Sequence, residues 1–390
     1  MPSRQEAAAA GGGRNVAPPE VAAPGSTGDL AEVLREAAGR GLAVVARGAG
    51  TKQGWAAPPR RVDLIVETGQ LSGVVEHAAG DLVVVVRAGT PLAELNAALA
   101  PAGQQLALDD PLPGATIGGT VAADVSGPRR MRYGTVRDLL IGVTVVRVDG
   151  VVARSGGKVV KNVAGYDLGK LVTGSYGTLA VLAECAFRLH PLPAARAVVS
   201  RRVDSAAQAG RLAAAVRGAQ VVPSAVEVDA PAGGGFEVAV LLEGVPAGVS
   251  DRAATTLRLL GGDATVTDDP PPWWSTYPWR PGQVGVKLSV ALSGVPALLA
   301  AAARLGAPLR GSVGTGVCYA ALPADPDAVT ELRAAATAAG GHAVVLTTPE
   351  GVPERLDRWG PVAGLDLMRR VKARFDPDGR LAPGRFVGGI

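Results

Sequence analysis

The sequence predicts an α+β protein of two domains, and three observations carry that expectation. Its 390 residues exceed what a single hydrophobic core usually supports. Residues 110–142 and 156–181 are rich in glycine where a packed core has no use for it, which reads as backbone shaped around a ligand. Beyond residue 193 the strand and helix signals fall twice into a βαββαβ order, as in an antiparallel sheet backed by helices. The expected divisions are a disordered tail over 1–24, a ligand-binding domain over 25–193, a second domain over 194–350, and a final helix and tail over 351–390 that return to the first domain.

Taken in order, Ser26 or Thr27 caps a helix whose Leu30, Val33, Leu34, Ala37 and Ala38 follow helical spacing, with Gly41 ending it. The apolar run 42–46 is then a buried strand. It enters the loop RGAGTK, residues 47–52, whose successive N–H groups form an anion nest suited to a pyrophosphate, with Arg47 or Lys52 adding charge. An ordinary glycine turn is the competing reading of this loop taken alone. Residues 62–66 and 82–88 read as strands, 91–100 as a helix with Pro91 in its first turn, and 104–108 as a short strand. In the glycine-rich cradle that follows, Gly114, Gly118, Gly119, Gly127 and Gly134 permit close approach of main-chain N–H groups. Thr116, Thr120 and Ser126 add hydroxyls. The ligand this suits is large, flat and phosphorylated. Asp149-Gly150 marks a hairpin between strands 143–148 and 151–155.

In the second domain, strands are expected at 196–203, 225–229, 236–242 and 264–267, with helices at 205–217 and 250–260. The order repeats with strands at 283–292, 308–313, 317–322 and 342–346 and helices at 295–305 and 325–339. Two such halves are suited to joining into one sheet. Between them the segment 270–281 is broken by prolines and aromatic, and Trp273, Trp274, Tyr277 and Trp279 are expected either to roof a ligand or to form a subunit interface, the second being preferred. Residues 364–375 make the last helix. The turn-rich run 376–385 is expected to fold back onto an existing surface.

Composition narrows the function. Apolar content of 47% and charged content of 19% are globular values. The net charge of +4 comes from scattered arginines, with lysine only at 52, 158, 161, 170, 287 and 372, so no nucleic-acid stripe exists. Cys185 and Cys318 lie far apart without CxxC or histidine-rich tracts, so neither a disulfide framework nor a zinc site is suggested, and a reducing cytosol is the expected setting. Residues 1–24 lack the apolar run of a signal peptide, and the longest apolar runs are strand-sized, so no transmembrane segment is expected.

Five separated motifs in order resemble one known group: RGAGTK (47–52), PGATIGGTVAADVSGPRR (113–130), GTVRDLLIG (134–142), VVKNVAGYDLGKLVTGSYGTLAVL (159–182) and FDPDGRLAPGR (375–385). They resemble the PCMH-type FAD-binding superfamily of vanillyl-alcohol oxidase and the bacterial D-lactate dehydrogenases, within it most the FAD-binding subunits of bacterial glycolate oxidases. The resemblance implies a two-lobed FAD domain and a cap with an antiparallel sheet over the flavin. It assigns the pyrophosphate to Arg47, Gly48, Ala49, Gly50, Thr51 and Lys52. Pro111, Gly114, Ala115, Thr116, Gly118 and Gly119 then line the phosphates and flavin. Ser126, Gly127, Gly134, Val136 and Asp138 face the flavin or ribityl chain, and Gly177 and Val181 close over the adenine end or ribityl chain. No His or Cys lies between Arg47 and Trp55, so the FAD is expected to be non-covalent.

Oxidising a 2-hydroxy acid calls for a base and for cations that hold the carboxylate. His77, His190 and His342 stand isolated, and the clustered cap histidines of related catalytic subunits are missing. No catalytic residue is assigned. Arg280, Lys287, Arg310 and Arg374 are carboxylate candidates, each more readily explained as a solvated or structural charge, while Lys161 and Tyr166 divide evenly between structural and catalytic roles. The expected function is that of the FAD-binding subunit of a glycolate oxidase-type complex acting on glycolate or D-lactate. Its expected partners are a catalytic flavin subunit and an iron–sulfur subunit, and its expected place is cytoplasmic, either free or held at the inner membrane face through those partners. The alternatives are a free-standing FAD-dependent 2-hydroxy-acid dehydrogenase and a non-catalytic scaffold.

Overall fold

The computed structural model describes residues 18–157, 166–351 and 356–390. Its first half is two small lobes. One is a parallel three-stranded sheet in the order β1-β3-β2, from β1 (Glu20–Ala22), β2 (Val44–Arg47) and β3 (Leu64–Glu67), covered by α1 (Thr27–Gly39). Ser26 caps α1, its Oγ accepting from the Asp29 N–H at 3.0 Å, and Leu30, Leu34 and Ala37 are buried beneath. Residues 20–22, read from the sequence as part of a disordered tail, instead add a parallel strand to β3.

The second lobe is a five-stranded antiparallel sheet. It contains β4 (Val74–Ala78) and β5 (Val83–Arg87), followed by α2 (Leu92–Leu99), the short β6 (Gln104–Gln105), and the three one- to two-turn helices of the cradle, α3 (Ile117–Ala122), α4 (Arg130–Tyr133) and α5 (Val136–Leu139). Then come β7 (Leu140–Val146), β8 (Val152–Gly156), α6 (Leu168–Val172), β9 (Val181–Arg188) and the short β10 (His190–Pro191) that pairs with β6. The sheet order is β4-β5-β9-β7-β8. Side chains alternate along a strand, and a register shift that leaves Ala183 opposite no residue of β7 changes the face, so β7 and β9 serve both lobes: Val146, Val181 and Ala183 join the core under α1, while Val145, Leu182 and Cys185 join the core under α2 and α3.

The cap is an eight-stranded sheet. Its first half is β11 (Ala195–Val203), α7 (Ala206–Gly218), β12 (Ala225–Ala230), β13 (Phe236–Gly244), α8 (Pro246–Leu260) and β14 (Thr265–Thr267). The second is β15 (Val284–Ser289), α9 (Val295–Arg304), β16 (Leu309–Ser312), β17 (Val317–Leu322), α10 (Pro326–Ala338) and β18 (His342–Thr347). The βαββαβ order thus occurs twice, and antiparallel pairing of β12 with β16 fuses the halves into one sheet. One face, with Val226, Val228, Leu309 and Cys318, packs on the four helices. The other turns toward the FAD-domain cradle and carries Glu227, Asp229, Arg310, Ser312 and Tyr319, where Glu227 opposes Ser312 and Arg310 opposes both Asp229 and Tyr319.

The aromatic segment between the halves packs partly within the chain, its four rings half-buried. Tyr277 stacks on Trp279 with centroids 4.3 Å apart and meets Trp55 of the first domain edge-on at 5.6 Å. Trp273 and Trp274 lie on Ala225, Ala239 and Leu241 of the cap sheet. After α11 (Leu365–Phe375) the tail does fold back. The Ala382 N–H donates to the Val44 carbonyl and the Val44 N–H to the Arg380 carbonyl, both at 2.8 Å, which places residues 380–382 beside β2.

Candidate cofactor cleft and seam cavity

The turn leaving β2 is built to bind an anion. The Gly50 carbonyl accepts from the Gln53 N–H and the Lys52 carbonyl from the Trp55 N–H, which tightens the loop, and Gly50 takes φ +77° as such a bend requires. The backbone N–H groups of Gly48, Ala49, Gly50, Thr51 and Lys52 donate to no acceptor among the described residues. Five consecutive unsatisfied donors line one wall of a cleft of about 90 Å³ that is partly open to solvent. Two cations stand over it. Lys52 is 9% exposed, its Nζ 3.0 Å from Thr51 Oγ1, and burial lowers its amine to about 8. Arg385 reaches in from the tail, donating to the Gln53 carbonyl and, at 3.2 Å, to Gln53 Oε1.

Across from the loop lie Thr116, Gly118 and Gly119 at the start of α3, then Ser175, Tyr176, Gly177, Ala180, Val181 and Leu182. The walls between are alanines: Ala46, Ala88, Ala122 and Ala123. Unsatisfied N–H groups and cations at one end with small neutral walls beyond suit a dinucleotide phosphate and its flat rings, so the residues present fit FAD. No His or Cys lines the cleft.

Not every expected residue faces this cleft. Arg47 turns aside to pair with Glu67. Ala115 is buried and its carbonyl accepts from the Leu92 N–H, while Gly114 takes φ +83° in the turn before it. Ser126, Gly134, Val136 and Asp138 hold the cradle's own shape: Ser126 Oγ accepts from the Val136 N–H at 2.9 Å, and Asp138 Oδ2 accepts from the Thr135 N–H at 2.8 Å as a helix cap. Thr116 Oγ1 likewise caps α3 by accepting from the Gly119 N–H. Gly48 and Gly118 are needed for contacts inside the protein. A Cβ on Gly48 would lie 2.2 Å from Thr116 Oγ1, and one on Gly118 would lie 2.9 Å from the Ala88 Cβ. By contrast, a Cβ on Gly177 meets only open space, although φ +76° there still favours glycine.

A second, smaller cavity of about 30 Å³ opens at the seam between cradle and cap and includes Pro111, Ser126 and Gly127. Arg130 donates through Nε to the Gly127 carbonyl at 3.0 Å and through Nη2 to the Tyr319 hydroxyl at 3.2 Å. Arg310 is paired with Asp229 at 2.7 Å. Glu227 is 4% exposed and burial pushes its carboxyl up to about 8. Glu227 Oε1, Ser275 Oγ and Ser312 Oγ have no hydrogen-bond partner among the described residues.

Of the four carboxylate candidates, Arg310 alone reaches this cavity; Arg280 and Arg374 are exposed, and Lys287 lies in β15 outside it. The histidines are structural: His77 Nε2 sits 2.9 Å from Gln104 Oε1, His190 packs edge-on against Tyr133, and His342 is exposed on β18. Tyr166 is 94% exposed, and Lys161 lies outside the described residues. The sequence reading did not assign Gln53, Tyr176 and Arg385 to the cleft, or Arg130, Glu227 and Tyr319 to the cavity. Arg130, Tyr176 and Arg385 stood inside quoted motifs and were the ones with a visible signal.

Comparison with known proteins agrees with this geometry. Residues 18–156 match the model of an FAD binding domain, and residues 354–386 that of the FAD linked oxidases' C-terminal domain. Together, fold and cleft define a fold of the PCMH type whose first part is an FAD binding domain. The chain is similar to the glycolate oxidase subunit GlcE of Escherichia coli K12, with 44% identity over 134 residues, 34% of this chain and 38% of that protein. It is also similar to subunit GlcD of Bacillus subtilis, with 29% identity over 211 residues, 54% of this chain and 45% of the relative. The matches therefore span less than half of either relative. Among solved structures, a chitooligosaccharide oxidase superposes with a TM-score of 0.66 at 15% identity, covering 92% of this chain and 89% of that one, which shows the shared fold.

Proposed function

We propose that this chain is the FAD-binding subunit of a glycolate oxidase-type complex and takes part in oxidising a 2-hydroxy acid, glycolate or D-lactate, to the 2-oxo acid. The observation that carries the reading is the run of five unsatisfied N–H groups from Gly48 to Lys52, with Lys52 and Arg385 above it. Bound there, FAD supplies a two-electron acceptor. The loop 48–52 holds the pyrophosphate, Lys52 and Arg385 balance its charge, and Gly177 and Val181 border the remainder of the dinucleotide. Binding is non-covalent in this reading, supported by a cleft that no His or Cys of the described residues lines.

The partners in this reading are a catalytic flavin subunit and an iron–sulfur subunit. Among the described residues no group of His, Cys, Asp or Glu is arranged to hold a metal, and both cysteines are buried, with burial pushing Cys185 up to about 12. No helix among the described residues is long and apolar enough to cross a membrane, and contact with the inner membrane face is assigned to the partners.

A second reading, a free-standing FAD-dependent dehydrogenase, is favoured by one observation: the seam cavity holds polar atoms for which the described residues supply no hydrogen bond. Purified protein separates the readings. A yellow chain bleached without air only after partner subunits and glycolate or D-lactate are added supports the complex. Bleaching by substrate alone supports the free enzyme. A colourless chain that FAD cannot restore contradicts both.

A further inference from the structure

We propose that the apolar groove between α6 and α11 docks a partner chain, which lays a helix with an apolar stripe into the groove and acidic residues along the arginine edge of α11. This rests on the reading of the chain as a subunit for there being such a partner.

The groove arises from how its walls spend their polar groups. One wall is α6 and the loop after it, with Leu171 and Leu179; the other is α11, with Leu367, Met368 and Val371, joined by Phe386 of the tail. The space between them is about 260 Å³. Thr173, Ser175 and Thr178 stand in the first wall, yet each hydroxyl donates back to its own backbone, to the carbonyls of Gly169, Val172 and Ser175 at 2.8, 2.7 and 2.7 Å. No lining residue carries a charge, so a small polar ligand finds nothing to hold it.

The walls are tied together before any occupant arrives, because Lys372 of α11 donates to the Thr178 carbonyl at 2.8 Å. The lips remain in water. Leu367 is 57% exposed on one side and Leu171 38% on the other. Large apolar side chains on both lips of an uncharged groove suit an amphipathic helix.

Charge selects the occupant. Arg370 lies three residues after Leu367 and Arg374 three after Val371, so the two arginines follow one edge of α11 beside the groove. Both are exposed and form no ion pair among the described residues, whereas Arg369 is paired with Asp366 at 3.3 Å and Lys170 of α6 with Asp167 at 3.2 Å. A second copy of the chain, seated about a two-fold axis, would bring Arg370 and Arg374 against the same arginines. A flat lipid surface would cover the two lips and leave the concave floor unfilled. A helix with acidic residues along its edge answers both the apolar floor and the unpaired cations. The place is also apt for a redox partner: Ser175 lines both this groove and the cofactor cleft, and Phe386 follows Arg385, which borders that cleft.

Purification of the complex through an affinity tag on this chain tests the docking, with the partner measured by mass spectrometry. Leu367→Asp is expected to cut the retained partner about tenfold or more, since it places a charge in an apolar contact, while the variant chain alone holds FAD like the parent. Arg370→Glu combined with Arg374→Glu is expected to lower retention severalfold and to remove its sensitivity to salt. All three side chains are exposed, so Tm should not change. Equal retention by parent and both variants overturns the groove and leaves the subunit reading standing. A parent that retains no other chain overturns that reading and the docking with it. Phosphatidylglycerol vesicles that bind the parent chain but not Leu367→Asp, with partner retention unchanged, make this a membrane contact, and a dimer of the chain alone that Leu367→Asp dissociates makes it a self-contact; either overturns the proposal.

Discussion

Arg385 and Gln53 lie 332 positions apart in the chain, yet the guanidinium of one donates to both the carbonyl and the side-chain amide oxygen of the other. The tail thereby closes the turn that presents the unsatisfied N–H groups, and its charge stands at the edge of the cleft. Arg385→Ala is expected to weaken FAD by about tenfold or more, the loss of a charge-assisted contact. FAD titration followed by gel filtration checks this; full flavin retention in the variant would separate the tail from the site.

Lys52 makes the cleft sensitive to pH. Burial lowers its amine to about 8 in the ligand-free protein, and a nearby phosphate favours the charged form, so FAD binding takes up a proton above pH 8. Affinity is full below pH 8 and falls by up to about tenfold per pH unit above it, until the pKa of the bound form is reached. Lys52→Met is expected to bind FAD more weakly at pH 7 and to lose this slope. Flavin fluorescence titrations at pH 7, 8 and 9 measure both.

The buried pair Lys372 and Asp376 anchors the same tail. Lys372 Nζ donates to Asp376 Oδ2 at 2.6 Å and to the carbonyls of Thr178 and Leu381 at 2.8 and 2.9 Å, and Asp376 also accepts from the Leu381 N–H. Lys372→Met leaves a buried carboxylate without its cation and is expected to cost about 3–5 kcal/mol. Denaturant unfolding checks the size. Asp376→Asn combined with it should cost less than the sum of the two single changes.

Glu227 gives the fold an opposite pH signature. Its carboxyl is raised from 4.5 to about 8, so between those values the unfolded chain releases a proton that the fold retains, and stability falls as pH rises through that window. In Glu227→Gln this fall disappears. The difference in Tm between variant and parent is expected to grow in favour of the variant from pH 5 to pH 8.

Much of this architecture was legible in the chain because its signals are local. Ser26 before an apolar stripe, Asp149-Gly150 between two valine runs, and the doubled βαββαβ order each follow from spacing and turn chemistry. Strand β4 was missed, since its Val74 and Val75 are exposed and a glutamate and a histidine follow them, which leaves no apolar alternation to read. The cradle helices α3, α4 and α5 were hidden by glycine content and shortness, which suppress any periodic pattern. The loop 48–52 was legible as an anion nest from its residues alone. The seam cavity was not, because Arg130, Glu227, Ser312 and Tyr319 meet only after the cap sheet folds over the cradle. Gly118 has a second role that the sequence did not show: it borders the cleft, and its missing Cβ also makes room for Ala88.

Gly118→Val is accordingly expected to push α3 off β5 and lose both flavin and stability, with lower Tm even in FAD-free protein. Equal Tm for the FAD-free variant and parent would return Gly118 to the ligand.

The most direct measurement of the central claim is the flavin absorbance retained after the purified chain is mixed with FAD and passed through gel filtration, set beside a variant with Gly50→Val and Thr51→Pro. The parent is expected to emerge yellow with near-stoichiometric FAD and the variant, deprived of its N–H nest, colourless. Equal flavin on both would contradict the assignment of the phosphate-binding loop, and none on the parent would contradict the cofactor itself.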